Sequence, residues 1–349
     1  MRIVFLIPDL VSGLRLRAIR IVQRHRRIGR ANLTRRLLVH PWLHTSVTYG
    51  GTLNLMRHAA LARALGADSV LATPSGKDSY GRFKTADIPF IRWASRRPDD
   101  LCVLPEFCSS LANDVKGPLI VYLQVPNLMR ADFPYMDPSI QLWTDSPFML
   151  EQCAKVFPGK DIKIVPNIVD DALFPFRSQT EREPGLLFAF PRKGPEYIGK
   201  THDEYARRGG KYWRFELVDG LSVNDLALEM RRPQAFLASA DVEGCALPPQ
   251  ECMAAGIVVV GKSARGANFA MAHRQTAMVA ETPEAAAEAL FELENSELRD
   301  AISRAARAFI GRYFPTGEPT EFWRSTFSEF TPTPKSRPPS EVAVQSTLT

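Results

Sequence analysis

The feature that most constrains the fold is the alternation of short apolar runs with helical segments along most of the chain. The runs have the length of buried strands: RIVFLI, DSVLAT, LCVLPE, PLIVYLQV, KIVPN, LLFAF, WRFELV, QAFLAS, IVVVG and AMVA. Helical stretches such as residues 52–65 separate several of them. Because buried strands joined by crossover helices form parallel sheets, the pattern predicts an α/β protein.

The length of 349 residues indicates two domains, since single cores stop growing at about 250 residues. We therefore expect two doubly wound, Rossmann-like domains facing a cleft. Prolines and charges interrupt the pattern near residues 170–183, so the predicted domains are residues 1–170 and 171–330. The tail at 331–349 has four prolines and no aromatic residue, which is typical of a disordered segment.

Composition excludes several classes of protein. Hydrophobic residues make up 45% of the chain and charged residues 23%, which argues against general disorder, collagen or a disulfide scaffold. The five cysteines include no CxxC pair, so we expect neither a metal site nor a redox site. MRIVFLIPDLVSG is interpreted as a first strand rather than a signal peptide, and no run of 18 apolar residues occurs. These features predict a cytoplasmic protein.

Charge is concentrated in one segment. Between Arg15 and Arg36 lie nine arginines and no acidic residue. A solvated basic helix is one interpretation, and binding to an anionic membrane surface is another, because aliphatic residues alternate with the arginines. Nucleic acid is not the expected partner, since aromatic residues that stack on bases are missing. We place this segment in an insertion covering about residues 14–48.

The segment from Ala240 to Gly261, ADVEGCALPPQECMAAGIVVVG, carries the strongest chemical signal. A strand leads into a loop with Glu243 and Gly244, and two prolines then suit the first turn of a helix that contains Glu251. Ligands of open parallel sheets bind beyond the carboxyl ends of strands, where both glutamates fall. A helix start offers N–H groups to a diphosphate, and carboxylates accept hydrogen bonds from sugar hydroxyls. A solvated charge and a helix-dipole partner are the alternatives.

These residues resemble a known family pattern. EGCALPPQE resembles the E-x7-E element of the retaining glycosyltransferases of family four. IKIVPNIVDDALF is similar to the hinge element of that family, and LLFAFPRKG to its first C-terminal strand with basic residues. Together the three elements cover residues 161–280. The resemblance implies the GT-B architecture, with the donor bound by the C-terminal domain and the acceptor by the N-terminal one.

The resemblance also implies roles for individual residues. Arg192 and Lys193 match the pair that holds the donor diphosphate and stabilises the leaving group. Glu251 matches the acid that binds the ribose hydroxyls, and Glu243 the acid near the donor sugar, so we expect Glu251→Gln to weaken donor binding without unfolding the protein. The loop whose backbone amides approach the sugar and phosphate is matched by Gly244, Cys245, Ala246 and Leu247.

The N-terminal half matches the family less closely. Gly50 and Gly51 are our preferred equivalent of the glycine-rich loop that precedes a helix. Gln124 occupies the place of a histidine that often contacts the donor sugar, so no histidine role is assigned. Asn268 stands where a glutamate is common, and Cys245 and Ala246 where Phe and Gly are common. These departures leave the identity of the donor open.

The implied function is sugar transfer in polysaccharide or glycoconjugate biosynthesis. A UDP- or GDP-sugar would be the donor, a glycan or lipid-linked molecule the acceptor, and the reaction would retain configuration without a metal or a permanently bound cofactor. The enzyme would lie at the inner face of the membrane if Arg15–Arg36 binds anionic lipid. Three alternatives stay open: a sugar-nucleotide epimerase, a catalytically silent domain in a polysaccharide assembly complex, and a nucleic-acid-binding protein.

Overall fold

The computed structural model describes most of the chain between its first strand and its last helix. The described residues are 2–11, 42–44, 50–84, 86–113, 115–126, 129, 133–313 and 317–330. The basic segment Arg15–Arg36 and the tail at 331–349 lie outside them, so the predictions made for both remain predictions.

The described strands form two main sheets and one small one. Along the chain they are β1 (Arg2–Leu6), β2 (Asp9–Val11), β3 (Trp42–His44), β4 (Asp68–Thr73), β5 (Phe90–Arg92), β6 (Leu101–Pro105), β7 (Leu119–Leu123), β8 (Ile140–Thr144), β9 (Ile162–Ile164), β10 (Leu186–Ala189), β11 (Arg214–Leu217), β12 (Ala235–Ala238), β13 (Val258–Gly261) and β14 (Met278–Val279). The strand order is β5-β4-β1-β6-β7-β8-β9 in the first sheet and β11-β10-β12-β13-β14 in the second. Short β2 and β3 pair with each other.

Every described pair of neighbouring strands is parallel, as the apolar runs predict. The central strands are buried on both faces, which is why their sequences read as continuous apolar runs. The predicted α/β class is therefore confirmed. The sequence analysis missed β2, β3, β5 and β8. The first three are each three residues long, and Gln141 interrupts the apolar residues of β8, IQLWT. We call residues up to 164 the N-terminal half and residues 186–313 the C-terminal half.

Helices connect the strands and cover the sheets. They are α1 (Gly50–Ala64), α2 (Pro147–Val156), α3 (Pro195–Arg207), α4 (Val223–Glu229), α5 (Leu247–Ala255), α6 (Pro283–Glu292), α7 (Ser296–Tyr313) and α8 (Gly317–Phe330). The predicted start and end of α5 are confirmed: two prolines lie in its first turn, and Gly256 follows it in the left-handed conformation. Thr282 caps α6 as predicted, with its hydroxyl accepting from the Ala285 N–H.

The last helix returns to the first sheet. Trp323 of α8 is fully buried and packs edge-on against Phe5 and Trp143, with ring centroids 5.5 and 5.6 Å apart. Its indole N–H donates to Nδ1 of His58 on α1 (3.0 Å). The predicted division into residues 1–170 and 171–330 remains a prediction.

The Trp323 contact also determines the state of His58. Since Nδ1 accepts a hydrogen bond, the ring proton lies on Nε2, which donates to the Pro166 carbonyl at 3.1 Å. The ring is buried, and burial lowers the pKa of His58 from 6.5 to about 4. The folded protein therefore holds a neutral imidazole.

We expect His58 to make the fold acid-sensitive. Its folded pKa lies below its unfolded value, so its contribution is complete above pH 6.5 and is lost as the pH falls towards 4. The shift corresponds to about 3 kcal/mol. In urea unfolding, the stability advantage of the native protein over His58→Gln should shrink by this amount between pH 7 and 4. The control is His202→Gln at an exposed position, and a pH-independent gap at His58 would contradict the assignment.

Candidate active site

A cavity of about 490 Å³ lies between the two halves, at the carboxyl ends of strands from both sheets. This is the usual size and place of a small-molecule site in parallel α/β proteins. All of the predicted site residues line it: Gly50, Gly51, Arg192, Lys193, Glu243, Gly244, Cys245, Ala246, Leu247 and Glu251. The structure thus brings together residues that are up to about 200 positions apart in the sequence. Their individual roles remain predictions.

Arg192 and Lys193 are held by a turn that only glycine permits. They follow β10, and Gly194 then adopts the left-handed conformation (φ 68°) at the start of α3. A Cβ at Gly194 would overlap the carbonyl oxygen of Ser239, whose hydroxyl donates to the Lys193 carbonyl. The basic pair is therefore fixed against the end of β12.

Lys193 and Glu243 form an ion pair in the cavity. Glu243 lies on the loop between β12 and α5, and its side chain is 14% exposed, whereas that of Lys193 is 40% exposed. The partial exposure leaves the lysine accessible to a ligand in the cavity. An incoming anionic group would compete with Glu243 for this cation.

The loop at Gly244 crosses to the N-terminal half. A Cβ at Gly244 would overlap the backbone carbonyl oxygen of Gln124, so any side chain is excluded there. The Ser146 hydroxyl donates to the Gly244 carbonyl (3.0 Å), and the Asn167 amide donates to the Cys245 carbonyl (3.0 Å). These contacts close the cavity on one side.

Glu251 is bound by a residue of the other half. Its Oε1 accepts from Nη2 of Arg57 (2.7 Å), and the two side chains are 5% and 3% exposed. Nη1 of Arg57 donates to the Ile168 carbonyl (2.8 Å). The sequence analysis missed Arg57. The available signal was an arginine within the otherwise largely apolar helix LNLMRHAALA.

α1 binds the segment that follows β9, residues 165–168, through buried polar side chains. Besides Arg57 and His58, Asn54 accepts from the Ile168 N–H and donates to the Tyr122 hydroxyl, each at 3.0 Å. Asn54, Arg57 and His58 thus all bind the backbone of Pro166 or Ile168. Asn54 also binds the Tyr122 side chain. This explains why the buried face of α1 is not purely apolar.

Two further acidic residues line the cavity and were missed in the sequence. Glu106 directly follows β6 and Asp145 directly follows β8, and both are almost wholly buried. Burial raises the pKa of Glu106 to about 8. The pKa of Asp145 is raised well above its ordinary value, by burial first and then by the nearby Glu106. A single acid at the end of an apolar strand, as in VLPE and LWTD, was the signal available.

Two kinds of feature are not found among the residues that the structure describes. No group of three or more His, Cys, Asp or Glu residues there is arranged to hold a metal ion. None of the helices described is both long enough and apolar enough to cross a membrane.

The arrangement of two parallel α/β halves around a cleft is the fold of the GT-B glycosyltransferases, and solved structures of that class match it. Sucrose-phosphate synthase of Thermosynechococcus elongatus has a TM-score of 0.61 at 10% identity, over 81% of this chain and 94% of that one. HepE of Anabaena, solved with UDP and glucose, has a TM-score of 0.50 at 14% identity, over 94% and 99%.

TarM of S. aureus is a third match, with a TM-score of 0.52 at 14% identity over 66% of this chain. This chain spans little more than half of TarM, 55% of its length. No family model matches the sequence, and no curated protein matches it. The likeness therefore shows the fold, while membership of family four stays a prediction.

Proposed function

We propose that the chain is a glycosyltransferase that moves a sugar from a UDP- or GDP-sugar to a glycan or lipid-linked acceptor. The observation that carries the proposal is the cavity, where Arg192, Lys193, Glu243 and Glu251 line one space at the ends of parallel strands. Sucrose-phosphate synthase, HepE and TarM, which share the fold, support a transferase.

The cavity has chemically distinct parts that suit a nucleotide sugar. The N-terminus of α5 presents a positive dipole end to a diphosphate, and the basic pair lines the same cavity. Apolar residues of the C-terminal half form another wall, which suits a planar base: Phe190, Val218, Leu226 and Phe236. Carboxylates of Glu243 and Glu251 suit hydroxyl groups.

The reaction that we propose breaks the bond between the anomeric carbon and the diphosphate oxygen and forms one to the acceptor oxygen. The proton of the acceptor hydroxyl passes to the leaving diphosphate, and the configuration is retained. Arg192 and Lys193 stabilise the charge that develops on the leaving group. Retention and independence of a metal are parts of the proposal that rest on the family resemblance.

A ligand screen tests the donor assignment. Thermal unfolding of the whole chain would be followed with UDP, GDP and their sugar conjugates, because a ligand of the native state raises the midpoint with its concentration. We expect nucleoside diphosphates of one base to raise the midpoint. No shift with any of them would contradict the proposed function, and conversion of a donor without acceptor would indicate an epimerase instead.

Replacing Arg192 and Lys193 together by alanine should weaken binding of the nucleoside diphosphate and lower turnover. Two charge-assisted contacts are lost, each contributing about 1.5–3 kcal/mol, so we expect the dissociation constant to rise at least about 100-fold. Turnover should fall by about 100-fold, since the diphosphate is most negative in the transition state. Calorimetry and initial rates measure both. Lys200→Ala, at an exposed lysine one turn into α3, is the matched control, and native affinity in the double variant would remove the assignment.

A further inference from the structure

Three neighbouring strands of the first sheet end in buried polar side chains on the cavity wall. Glu106 follows β6, Gln124 follows β7 and Asp145 follows β8, and these strands are adjacent in the sheet. Their exposed fractions are 0%, 4% and 4%. All three residues line the cavity between the halves. The sheet therefore presents a compact polar group opposite the C-terminal half.

Each member of this group has an oxygen that lacks a hydrogen-bond partner within the described residues. These atoms are Oε2 of Glu106, Oε1 of Gln124 and Oδ1 of Asp145. The other polar atoms are partly used: Glu106 Oε1 accepts from the Val125 N–H (3.0 Å), and Gln124 Nε2 donates to the Gly51 carbonyl (3.3 Å). Buried polar atoms are normally paired, so three unpaired ones beside one cavity indicate a ligand group that supplies donors.

Within the part of the chain that the structure describes, the two carboxyl groups have no cationic partner. Neither Glu106 nor Asp145 forms an ion pair with any residue that the structure describes. Lys193, a cation of the cavity, forms an ion pair with Glu243. The negative charges of Glu106 and Glu243 raise the pKa of Asp145 beyond the effect of its burial. Burial without a cation favours the protonated form of a carboxyl group. Both carboxyl groups are therefore shifted towards the neutral form, in which each can donate one hydrogen bond and accept another.

A sugar hydroxyl group is complementary to a neutral carboxylic acid, because it also donates one hydrogen bond and accepts others. A carboxylate at the same place would be desolvated next to buried oxygen atoms, and it would have to compete with Glu243 for Lys193. The loop at Gly244 is next to two members of this part of the sheet, because Gly244 approaches the Gln124 carbonyl and its own carbonyl accepts from Ser146, the neighbour of Asp145. By the family resemblance, that loop faces the donor sugar.

We propose that Glu106 and Asp145 determine donor specificity, by binding hydroxyl groups of an uncharged sugar and rejecting a sugar that carries a carboxylate. The inference rests on the proposed function, since it places a nucleotide sugar in the cavity. Gln124 completes the subsite with an amide oxygen as acceptor.

The test compares matched ligands that share a nucleotide and differ only in a CH2OH or carboxylate group. UDP-glucose is paired with UDP-glucuronate and GDP-mannose with GDP-mannuronate, with UDP and GDP alone as references, and calorimetry gives the dissociation constants. We expect the native protein to bind the neutral member at least about tenfold more tightly. Glu106→Gln and Asp145→Asn should reduce this ratio at least about threefold, because an amide offers two N–H donors to a carboxylate, whereas a protonated carboxyl group offers one and an ionised one none.

The control is Glu151→Gln at an exposed acid of α2, which should keep the native ratio. The dependence of affinity on pH provides a second readout, which can be measured on the native protein alone. Glu106 loses its proton as the pH rises through about 8, so the affinity of the native protein for the neutral sugar nucleotide should fall there, and Glu106→Gln should not show this fall.

The outcomes separate this inference from the proposed function. If UDP or GDP binds but the neutral and carboxylated sugars bind equally, or neither variant changes the ratio, the specificity assignment is wrong and the function stands. If no nucleotide binds, the proposed function fails and the specificity assignment fails with it. Thermal midpoints of the variants are measured first, and a variant that does not fold leaves the pH profile of the native protein as the deciding measurement.

Discussion

Replacing Arg57 by methionine is expected to lower the free energy of unfolding by about 3–5 kcal/mol. Arg57 and Glu251 form an ion pair whose side chains are almost wholly buried, and Arg57 also binds the Ile168 carbonyl. Methionine fills much of the same volume but leaves the Glu251 carboxylate buried without a counter-charge. The loss therefore comes from the group left behind rather than from the removed side chain.

Urea unfolding at pH 7 measures this effect, with Arg63→Met at an exposed position of the same helix as control. The double variant Arg57→Met with Glu251→Gln should recover a large part of the loss, because neither charge is then left buried and unpaired. A loss below about 1 kcal/mol in the single variant would show that the pair is not buried in solution.

The same ion pair changes the expectation for Glu251→Gln. From the sequence we expected weaker donor binding without unfolding. In the structure, the glutamine would leave the Arg57 guanidinium buried without its carboxylate, so a loss of stability should accompany the loss of donor affinity. Donor affinity is therefore best compared in the double variant and in Arg57→Met, at a temperature well below both midpoints.

Gly244→Ala is expected to lower turnover by about 100-fold or more. A Cβ at this position would overlap the Gln124 carbonyl oxygen, and a backbone atom cannot rotate out of the way. The loop must then move away from the N-terminal half by an ångström or more, and a misplacement of about 1 Å in an active site can cost 100-fold in rate. The hydrogen bond from Ser146 to the Gly244 carbonyl would be lengthened by the same movement.

Initial rates with the donor found in the screen measure this prediction. The control is Gly199→Ala on α3, where an added Cβ has no heavy atom within 4 Å and alanine favours the helix. We expect native turnover in the control. Native turnover in Gly244→Ala as well would mean that the two halves are farther apart in the working enzyme than in this structure.

The strand pattern and the helix signals could be read from the sequence because they depend on residues close together in the chain. A continuous apolar run such as IVVVG predicts a strand buried on both faces, and β13 has that environment. Two prolines before QECMAAG predict a helix from its first turn to its glycine, as α5 shows. Parallel α/β topology then places Glu243 and Glu251 at strand ends, where the cavity is found.

The cavity itself depends on contacts between residues far apart in the sequence. Arg57 and Glu251 are 194 positions apart, and Trp323 and His58 are 265 apart. Whether such residues meet depends on how the two sheets pack and on the return of α8 to the first sheet. Neither can be predicted from a local sequence pattern. The partners of Gly244 and the raised pKa values of Glu106 and Asp145 follow from that packing, because the burial of these side chains exists only in the folded chain.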